Sequence, residues 1–154
     1  MTTQSFAPLD PDFARKCRES FALQGLMNYL GAEIISIEPG ACVVSINFRP
    51  ELSQQHGYFH GAVSGAIADS ASGYAAYTLM PANANVLAAE YKLNFVAPAH
   101  GDSLIARAQV VRAGRTLTVC RADVFAVSAG VEKICATALS TIMALIPDPT
   151  STAR

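Results

Sequence analysis

The sequence predicts an α+β domain in which an antiparallel sheet wraps around one long helix. Residues 61–80 form a run made mostly of Ala, Gly and Ser, without proline, that reads as a helix. Around it lie about six segments that alternate apolar and polar residues and are separated by short turn sequences. Because the helix is small or apolar on every side, we expect it to be buried against the sheet.

The first half of the chain is predicted to contain two short helices and a hairpin. Asp10-Pro11 resembles an N-cap followed by proline in the first turn, which predicts a helix to about Ser20. The segment "LQGLMNYL" predicts a second helix that ends at Gly31. The alternating segments "AEIISIE" and "ACVVSINF", joined by a turn at "EPG", predict a β-hairpin.

The second half is predicted to be all strand. After the loop "RPELSQQHGYFH" and the long helix, four alternating segments follow Pro81, and short connections such as "AHGD", "AGR" and "SAG" favour antiparallel hairpins or a meander. We divide the chain into an N-terminal helical segment (residues 1–30), one domain (31–147) and a tail (148–154) that we expect to be disordered.

The composition excludes several classes of protein. The charged fraction is 15% and the net charge −1, with no basic run, so we expect no nucleic-acid partner. The longest uncharged run, residues 70–89, contains proline and two asparagines, and the N-terminus lacks the apolar core of a signal peptide; we expect no membrane segment and a cytoplasmic location. A 51% apolar chain with so little charge predicts a homo-oligomer. The four cysteines are widely spaced, which indicates reduced, buried thiols.

Asp69, near the middle of the long helix, is the only ionisable side chain between residues 61 and 80 apart from tyrosine. Four interpretations compete: a residue on an exposed stripe, a structural residue bonded to the backbone or to Ser70 or Ser72, a ligand in a metal site with His56 and His60, and a catalytic base or nucleophile. The absence of other charges on this helix argues against an ordinary exposed stripe.

The sequence "HGYFHG" directly before the helix favours the catalytic interpretation. Glycine at position 61 removes side-chain bulk where the first amides of the helix lack partners and where the helix dipole attracts negative charge. A developing oxyanion needs that environment. Asp69 lies nine residues after His60, roughly 13 Å along the helix axis. The Gly61 end of a second subunit, with its helix antiparallel, could reach this carboxylate, so we expect an intersubunit site.

The metal interpretation is weaker. His56 and His60 are four residues apart, but they flank Gly57 in a predicted loop, and no further ligand lies at a suitable spacing. We expect no metal, His56 and His60 to be structural or capping residues, and His100 to lie in a turn.

Gln54, Gly57, His60-Gly61 and Asp69, followed by the small-residue helix, resemble the hotdog-fold thioesterases of the PaaI-like (phenylacetic-acid-degradation) group. The similarity continues through "EYKLNFVAPAHGD" and "VVRAGRTLTVCRADVF" and covers roughly residues 30–145. The resemblance implies a curved antiparallel sheet around one helix, dimers that often pair into tetramers, and hydrolysis of acyl-coenzyme A thioesters without a cofactor.

The resemblance also implies roles for the motif residues. Asp69 would be the nucleophile or the general base that activates water, and the Gly61 N–H would polarise the thioester carbonyl. Gln54 would orient the water or the carbonyl, and His60 would support the loop.

Two positions depart from the family pattern. Ala62 replaces the second glycine of His-Gly-Gly, and Ala88 stands where a water-holding Ser or Thr is often found; Ser64, Ser70 and Ser72 are the candidates to replace that hydroxyl.

Further residues are expected to bind the substrate. Arg112 and Arg115, in a predicted hairpin turn, are candidate contacts for the phosphates of coenzyme A, with ordinary solvated charges as the alternative. Leu26, Met27, Tyr29 and Tyr74 are candidates for the acyl pocket, with plain core as the alternative.

Two other functions stay open at this level. A non-catalytic protein that binds or senses acyl-CoA is favoured by the missing hydroxyl at Ala88. A hotdog hydratase or dehydratase would use His60 with Asp69, although the spacing of the motif fits a thioesterase better.

Overall fold

The computed structural model describes residues 5–147, and these form one six-stranded antiparallel sheet with a long helix packed on one face. The expected disorder of residues 148–154 lies outside the described residues. The helices are α1 (Phe13–Ala22), α2 (Gly25–Leu30) and α3 (Gly61–Tyr77), with a 3-10 turn at Pro50–Leu52. The strands are β1 (Glu33–Glu38), β2 (Ala41–Asn47), β3 (Asn85–Phe95), β4 (Ser103–Ala113), β5 (Leu117–Ser128) and β6 (Val131–Leu145).

The order of strands across the sheet is β1-β2-β4-β5-β6-β3. The β1–β2 hairpin and the β4–β5–β6 meander confirm the sequence prediction. The expected hairpin between β3 and β4 is wrong, because β3 pairs with β6 at the far edge. The connection is longer than "AHGD": it spans residues 96–102, and its amides bond to the ends of other strands, Val96 N to Cys135 O (2.9 Å) and Asp102 N to Val127 O (2.6 Å).

Helix α3 touches β2, β3, β4, β5 and β6, so the sheet wraps around it as the hotdog resemblance implies. Its small residues allow close approach. A Cβ added at Gly61 would come within 2.7 Å of the Phe95 ring, and one at Gly65 would come within 3.3 Å of the Tyr91 hydroxyl. Both aromatic residues belong to β3, so these two glycines set the distance between α3 and this edge strand.

The bounds of two helices differ from the prediction. Helix α1 begins at Phe13 because the Asp10 carboxylate accepts a hydrogen bond from Asp12 N (2.9 Å) and pairs with Lys16 (3.2 Å), which folds a turn ahead of the helix. Helix α3 ends at Tyr77, not at Met80, because the Thr78 hydroxyl donates to Ala75 O (2.7 Å). Leu79 N then bonds to Ala76 O, three residues back, which tightens the end of the helix.

The two N-terminal helices pack onto the same core as α3. Cys17, Phe21, Met27 and Leu30 are buried in that core, and the Phe21 ring meets the Tyr74 ring edge-on at 5.4 Å between centroids. The end of α2 at Gly31 confirms the prediction, since this residue has a φ of 71°, a left-handed conformation in which glycine is unstrained.

The four cysteines are free and buried, as expected. Burial raises the pKa of Cys17, Cys42 and Cys120 to about 12, so their thiols stay protonated and unreactive at neutral pH. No helix within residues 5–147 is long and apolar enough to cross a membrane. The cytoplasmic location stays a prediction.

Gly101 is expected to be the glycine that tolerates a side chain least. A Cβ there would overlap the carbonyl group of Val127, which is backbone and cannot turn away. We expect Gly101→Ala to lower the free energy of unfolding by more than about 1 kcal/mol. Gly25→Ala is the matched control, because nothing lies within 4 Å of that Cβ and alanine favours helix. Urea unfolding of both variants beside the wild type measures the difference; equal stability of the two would contradict the close approach at Gly101.

Candidate active site

Asp69 lies on the one stripe of α3 that the sheet does not cover. Ala62, Ala66, Asp69 and Gly73 fall on this stripe and are exposed or half-buried, whereas most other residues of α3 are buried. The prediction of a helix buried on every side is therefore wrong for the single chain. The stripe is nevertheless unlike an ordinary solvent-facing one, because its other members are Ala and Gly.

The Asp69 carboxylate is poorly solvated and unpartnered. Its Oδ1 atom is buried and has no hydrogen-bond partner among residues 5–147. Burial raises the pKa of this carboxyl above its ordinary value, because desolvation disfavours the charged form. A structural carboxylate bonded to the backbone or to Ser70 or Ser72 would have such a partner, so the structure disfavours that interpretation.

Asp69 opens into a cavity of about 190 Å³, named here the Asp69 cavity. It brings together residues from three parts of the chain: Gln24, Leu26 and Met27 from the α1–α2 region, Asp69, Ser70 and Tyr74 from α3, and Val86 and Ala88 from β3. The predicted pocket residues Leu26, Met27 and Tyr74 therefore line the same cavity as the carboxylate. Tyr29 does not line this cavity; it is 70% exposed, with the Arg49 guanidinium 5.5 Å from its ring centre.

The wall of the Asp69 cavity contains a hydrogen-bonded polar chain. Gln24 Nε2 donates to the Tyr74 hydroxyl (3.0 Å), which also bonds to Ser20 Oγ (3.1 Å). Ser70 Oγ donates to Gln24 Oε1 (3.4 Å). Sequence reasoning missed Gln24, because a glutamine between two short helices carries no local signal of a site.

A second cavity of about 580 Å³, the Gly61 cavity, lies at the N-terminus of α3. It is lined by Gln54, Tyr58, Phe59, Gly61 and Ser64 together with Phe95 and the β3–β4 connection. Its residues include none of those that line the Asp69 cavity. Eight residues separate Gly61 from Asp69, roughly 12 Å along the helix axis. Within one chain, Gln54 and Gly61 therefore line one cavity and Asp69 lines another.

The loop before α3 holds its residues through local hydrogen bonds. His60 caps the helix, with Nδ1 accepting from Ala62 N (3.0 Å), which agrees with the expected capping role. The Gln54 side chain accepts from His56 N, and Gly57, directly after His56, has a φ of 81°, a turn conformation that glycine adopts without strain. Gly61 is the first residue of α3, and its N–H therefore has no carbonyl one turn earlier in the helix.

The described residues contain no group of three His, Cys, Asp or Glu side chains able to hold a metal ion. His56 is exposed in its loop. His100 lies in the β3–β4 connection and meets the Tyr58 ring edge-on at 5.7 Å. His100, Tyr58 and Lys133 line a third cavity of about 500 Å³, which lies next to the Gly61 cavity. Lys133 is a cation near that cavity that sequence reasoning did not consider.

Arg112 and Arg115 are exposed around the β4–β5 turn, and neither lines the Asp69 cavity or the Gly61 cavity. The strand register places them at the same end of the sheet as Ala88, since Ala88 pairs with Ile142, Ile142 with Thr118 and Thr118 with Ala113. Ala113 is on β4, which lies three strand spacings, roughly 14 Å, from β3 across the sheet. Their contact with phosphate stays a prediction.

The three serines considered as substitutes for the hydroxyl at Ala88 lie in different places. Ala88 does line the Asp69 cavity, and Ser70 lines it too. Ser72 faces β6 and bonds to Ser140 Oγ (3.3 Å). Ser64 lines the Gly61 cavity. Only Ser70 is near the Asp69 carboxylate of the same chain.

Replacing Asp69 is expected to stabilise the protein. Burial raises the pKa of Asp69 in the folded state. Between the ordinary carboxyl pKa and this raised pKa, the folded protein therefore binds more protons than the unfolded chain. The contribution of Asp69 to the free energy of unfolding consequently falls as the pH rises through this range. Asp69→Asn should increase the free energy of unfolding at pH 7 by on the order of 1 kcal/mol. The gain should shrink as the pH is lowered towards the ordinary carboxyl range, because the wild-type carboxyl then binds a proton in the folded state more often.

Denaturant unfolding across this pH range measures the effect. Glu38→Gln is the control, because it removes one negative charge from an exposed position and should change stability by less than about 0.5 kcal/mol. A pH-independent difference between Asp69→Asn and the wild type would show that burial does not perturb this carboxyl.

Comparison with known proteins identifies the family of the chain. Residues 56–133, half of the chain, match the thioesterase superfamily. A thioesterase family protein from Silicibacter pomeroyi has 44% sequence identity and a TM-score of 0.86, with 88% of this chain and 99% of that one covered.

Two further proteins are more distant. The E. coli PaaI protein from the phenylacetic acid degradation operon has the same fold, with a TM-score of 0.76 at 21% identity over 89% of this chain and 96% of that one. A 1,4-dihydroxy-2-naphthoyl-CoA hydrolase from Listeria monocytogenes is 30% identical over 95 residues, which are 62% of this chain and 77% of that protein. The chain has the hotdog fold and belongs to the thioesterase superfamily.

Proposed function

We propose that this protein hydrolyses an acyl-CoA thioester at a site formed by the Asp69 cavity of one subunit and the Gly61 cavity of a second. The observation that carries the proposal is the Asp69 carboxylate, which is half-buried, unpartnered at Oδ1 and open to a cavity. The hydrolase name of the Listeria relative and the thioesterase family support the reaction class.

The division of the motif residues within one chain supports the dimer. Gly61 and Asp69 are too far apart along α3 to act on one carbonyl group, so a site containing both needs another copy. The uncovered stripe of Ala62, Ala66, Asp69 and Gly73 lets a second helix approach closely. Next to it, the edge strand β3 exposes Leu87, Tyr91 and Phe95. Antiparallel pairing of two copies across this surface would bring each Gly61 end to the partner's carboxylate and form two equivalent sites. A tetramer would pair two such dimers.

In the reaction, Asp69 acts on the carbonyl carbon in one of two ways. As a general base it takes a proton from water while the hydroxide adds to the carbonyl carbon. As a nucleophile it adds through its own oxygen, and water then cleaves the anhydride that forms. In both, the C–S bond breaks, the coenzyme A thiolate takes up a proton, and one water is consumed for each acid and thiol released.

The other residues serve the same step. The N–H of Gly61 donates to the carbonyl oxygen, where negative charge grows in the transition state, and the helix N-terminus adds a favourable field. Gln54 lines the same cavity and orients water or the carbonyl. The raised pKa of Asp69 brings its basicity closer to that needed near neutral pH. No metal or redox cofactor is required by this chemistry.

The hydratase alternative is less well supported. It needs His60 as an acid or base with Asp69, yet His60 Nδ1 caps α3 and this residue lines neither cavity. The acyl-CoA-binding alternative keeps its one supporting observation: Ala88 lines the Asp69 cavity without a hydroxyl. Turnover decides between that alternative and the hydrolase.

The first experiment measures free coenzyme A released from short, medium, long-chain and aryl acyl-CoA thioesters. We expect Asp69→Asn to fold and assemble like the wild type but to lose about 10³-fold in kcat, since the base or nucleophile is gone. Glu38→Gln, with the same change of charge on the exposed surface, should keep wild-type rates. Hydrolysis by Asp69→Asn at the wild-type rate would overturn the role of Asp69. No release by either protein, together with acyl-CoA binding, would favour the sensing protein.

Mixed subunits test the shared site. We expect Asp69→Asn and a Gln54→Ala, Gly61→Ala double variant each to be nearly inactive alone. After co-refolding in equal amounts, half of the dimers should contain both subunits, and each of these should have one intact site, which gives about a quarter of wild-type activity. Co-refolding each variant with itself is the control. If activity does not return in mixtures that are shown to contain mixed dimers, the two cavities do not act together across an interface.

A further inference from the structure

Ser64 is a buried polar residue that the proposed roles leave unused. It lies one turn after Gly61 on α3, is 1% exposed, and lines the Gly61 cavity with Gln54 and Gly61. Its position is therefore beside the amide that faces the thioester carbonyl in the proposed reaction.

The Ser64 hydroxyl has no hydrogen-bond partner among residues 5–147. A serine inside a helix can donate to the carbonyl one turn earlier, which for Ser64 is that of His60, and this bond is not made. The neighbouring serines are satisfied, because Ser70 Oγ donates to Gln24 Oε1 and Ser72 Oγ bonds to Ser140 Oγ. A buried hydroxyl left without a partner at a cavity is available to hydrogen-bond a group that binds there.

The amides at the start of α3 show which kind of group this is. Ala62 N donates to His60 Nδ1 (3.0 Å), and Val63 N donates to His60 O (2.9 Å). Of the first three amides, only that of Gly61 is left to point at a ligand. An oxygen that gains charge in an acyl-transfer reaction is normally stabilised by more than one donor. Ser64 lines the same cavity and has an unpaired hydroxyl.

We propose that the Ser64 hydroxyl donates a hydrogen bond to the thioester carbonyl oxygen, together with the Gly61 N–H. The inference rests on the proposed function and deepens it. The carbonyl oxygen would point into the Gly61 cavity of one subunit, while Asp69 of the other subunit acts from the opposite side of the carbonyl carbon. The hydroxyl is paired only when this oxygen is present, so its bond strengthens as the oxyanion forms. Ser64 therefore does not replace the hydroxyl missing at Ala88, which belongs to the Asp69 cavity.

Turnover and stability of three variants test the proposal. Ser64→Ala should lower kcat about 10²-fold, the typical effect of removing one oxyanion donor, with KM within about 3-fold. Its melting temperature should stay the same or rise, because the lost hydroxyl was unpartnered and alanine favours helix. Ser64→Cys keeps the size with a weaker donor and should have an intermediate kcat. Ser72→Ala is the matched control: it breaks the bond to Ser140, so its melting temperature should fall while kcat stays within about 2-fold.

Two unreactive analogues test the same bond without turnover. One is an acyl-CoA ketone, with CH₂ in place of sulfur, which keeps the carbonyl oxygen; the other is a thioether, with CH₂ in place of the carbonyl. Ser64→Ala should weaken binding of the ketone about 10-fold and leave binding of the thioether unchanged.

The outcomes separate this proposal from the proposed function. Equal kcat and equal ketone affinity in Ser64→Ala and the wild type would overturn the role of Ser64 and leave the hydrolase assignment intact. Equal weakening of both analogues would also overturn it, because Ser64 would then only shape the cavity. If the wild type binds both analogues but hydrolyses nothing, the ketone–thioether difference still decides whether Ser64 contacts the carbonyl. Failure of the wild type to bind either analogue would reject both proposals.

Discussion

The close packing of α3 against the sheet is the constraint on which the rest of the structure depends. Small residues on α3 let five strands reach the helix, and glycines at positions 61 and 65 admit the aromatic rings of β3. Dense packing on these sides leaves one stripe of the helix uncovered, with Asp69 in its middle. The carboxylate is then too enclosed to be well solvated and too isolated to be paired, which raises its pKa.

Unpaired polar atoms lower the stability of the folded protein at the place where the reaction is proposed to occur. Within residues 5–147, the buried hydroxyl and carboxyl oxygens without partners belong to Ser64 and Asp69, which lie on α3 and line cavities. Ser72 on α3 and Thr78 just after it each have a hydrogen-bond partner. Unsatisfied polar atoms are costly in a folded protein, and those that persist often mark a site that a ligand completes. The two atoms fall in different cavities, which supports the proposal of a site completed by a second copy.

The N-terminal helices give the Asp69 cavity its own chemistry. They contribute Gln24, Leu26 and Met27, and the Gln24 side chain ties Tyr74 and Ser70 into one hydrogen-bonded wall. Such a wall combines apolar area with fixed polar groups, as small-molecule pockets generally do. The choice of acyl group is therefore expected to depend on a part of the chain that lies outside the motif around His60.

The sequence by itself determined the number and kind of the main elements, the start of α3, the ends of the β1–β2 hairpin and the position of the lone carboxylate. Each of these depends on a local pattern, namely periodicity, turn residues, a helix cap or an isolated charge. Only the tertiary structure decided that β3 pairs with β6, since this ladder joins residues 85–95 to residues 136–145, which are far apart in the chain. It also decided that Thr78 ends α3, that Gln24 lines the Asp69 cavity and that Ser64 lacks a partner within residues 5–147. Whether a polar side chain is hydrogen-bonded depends on the neighbours that folding brings to it. A local sequence pattern does not indicate which donors and acceptors will be unpaired in the folded protein.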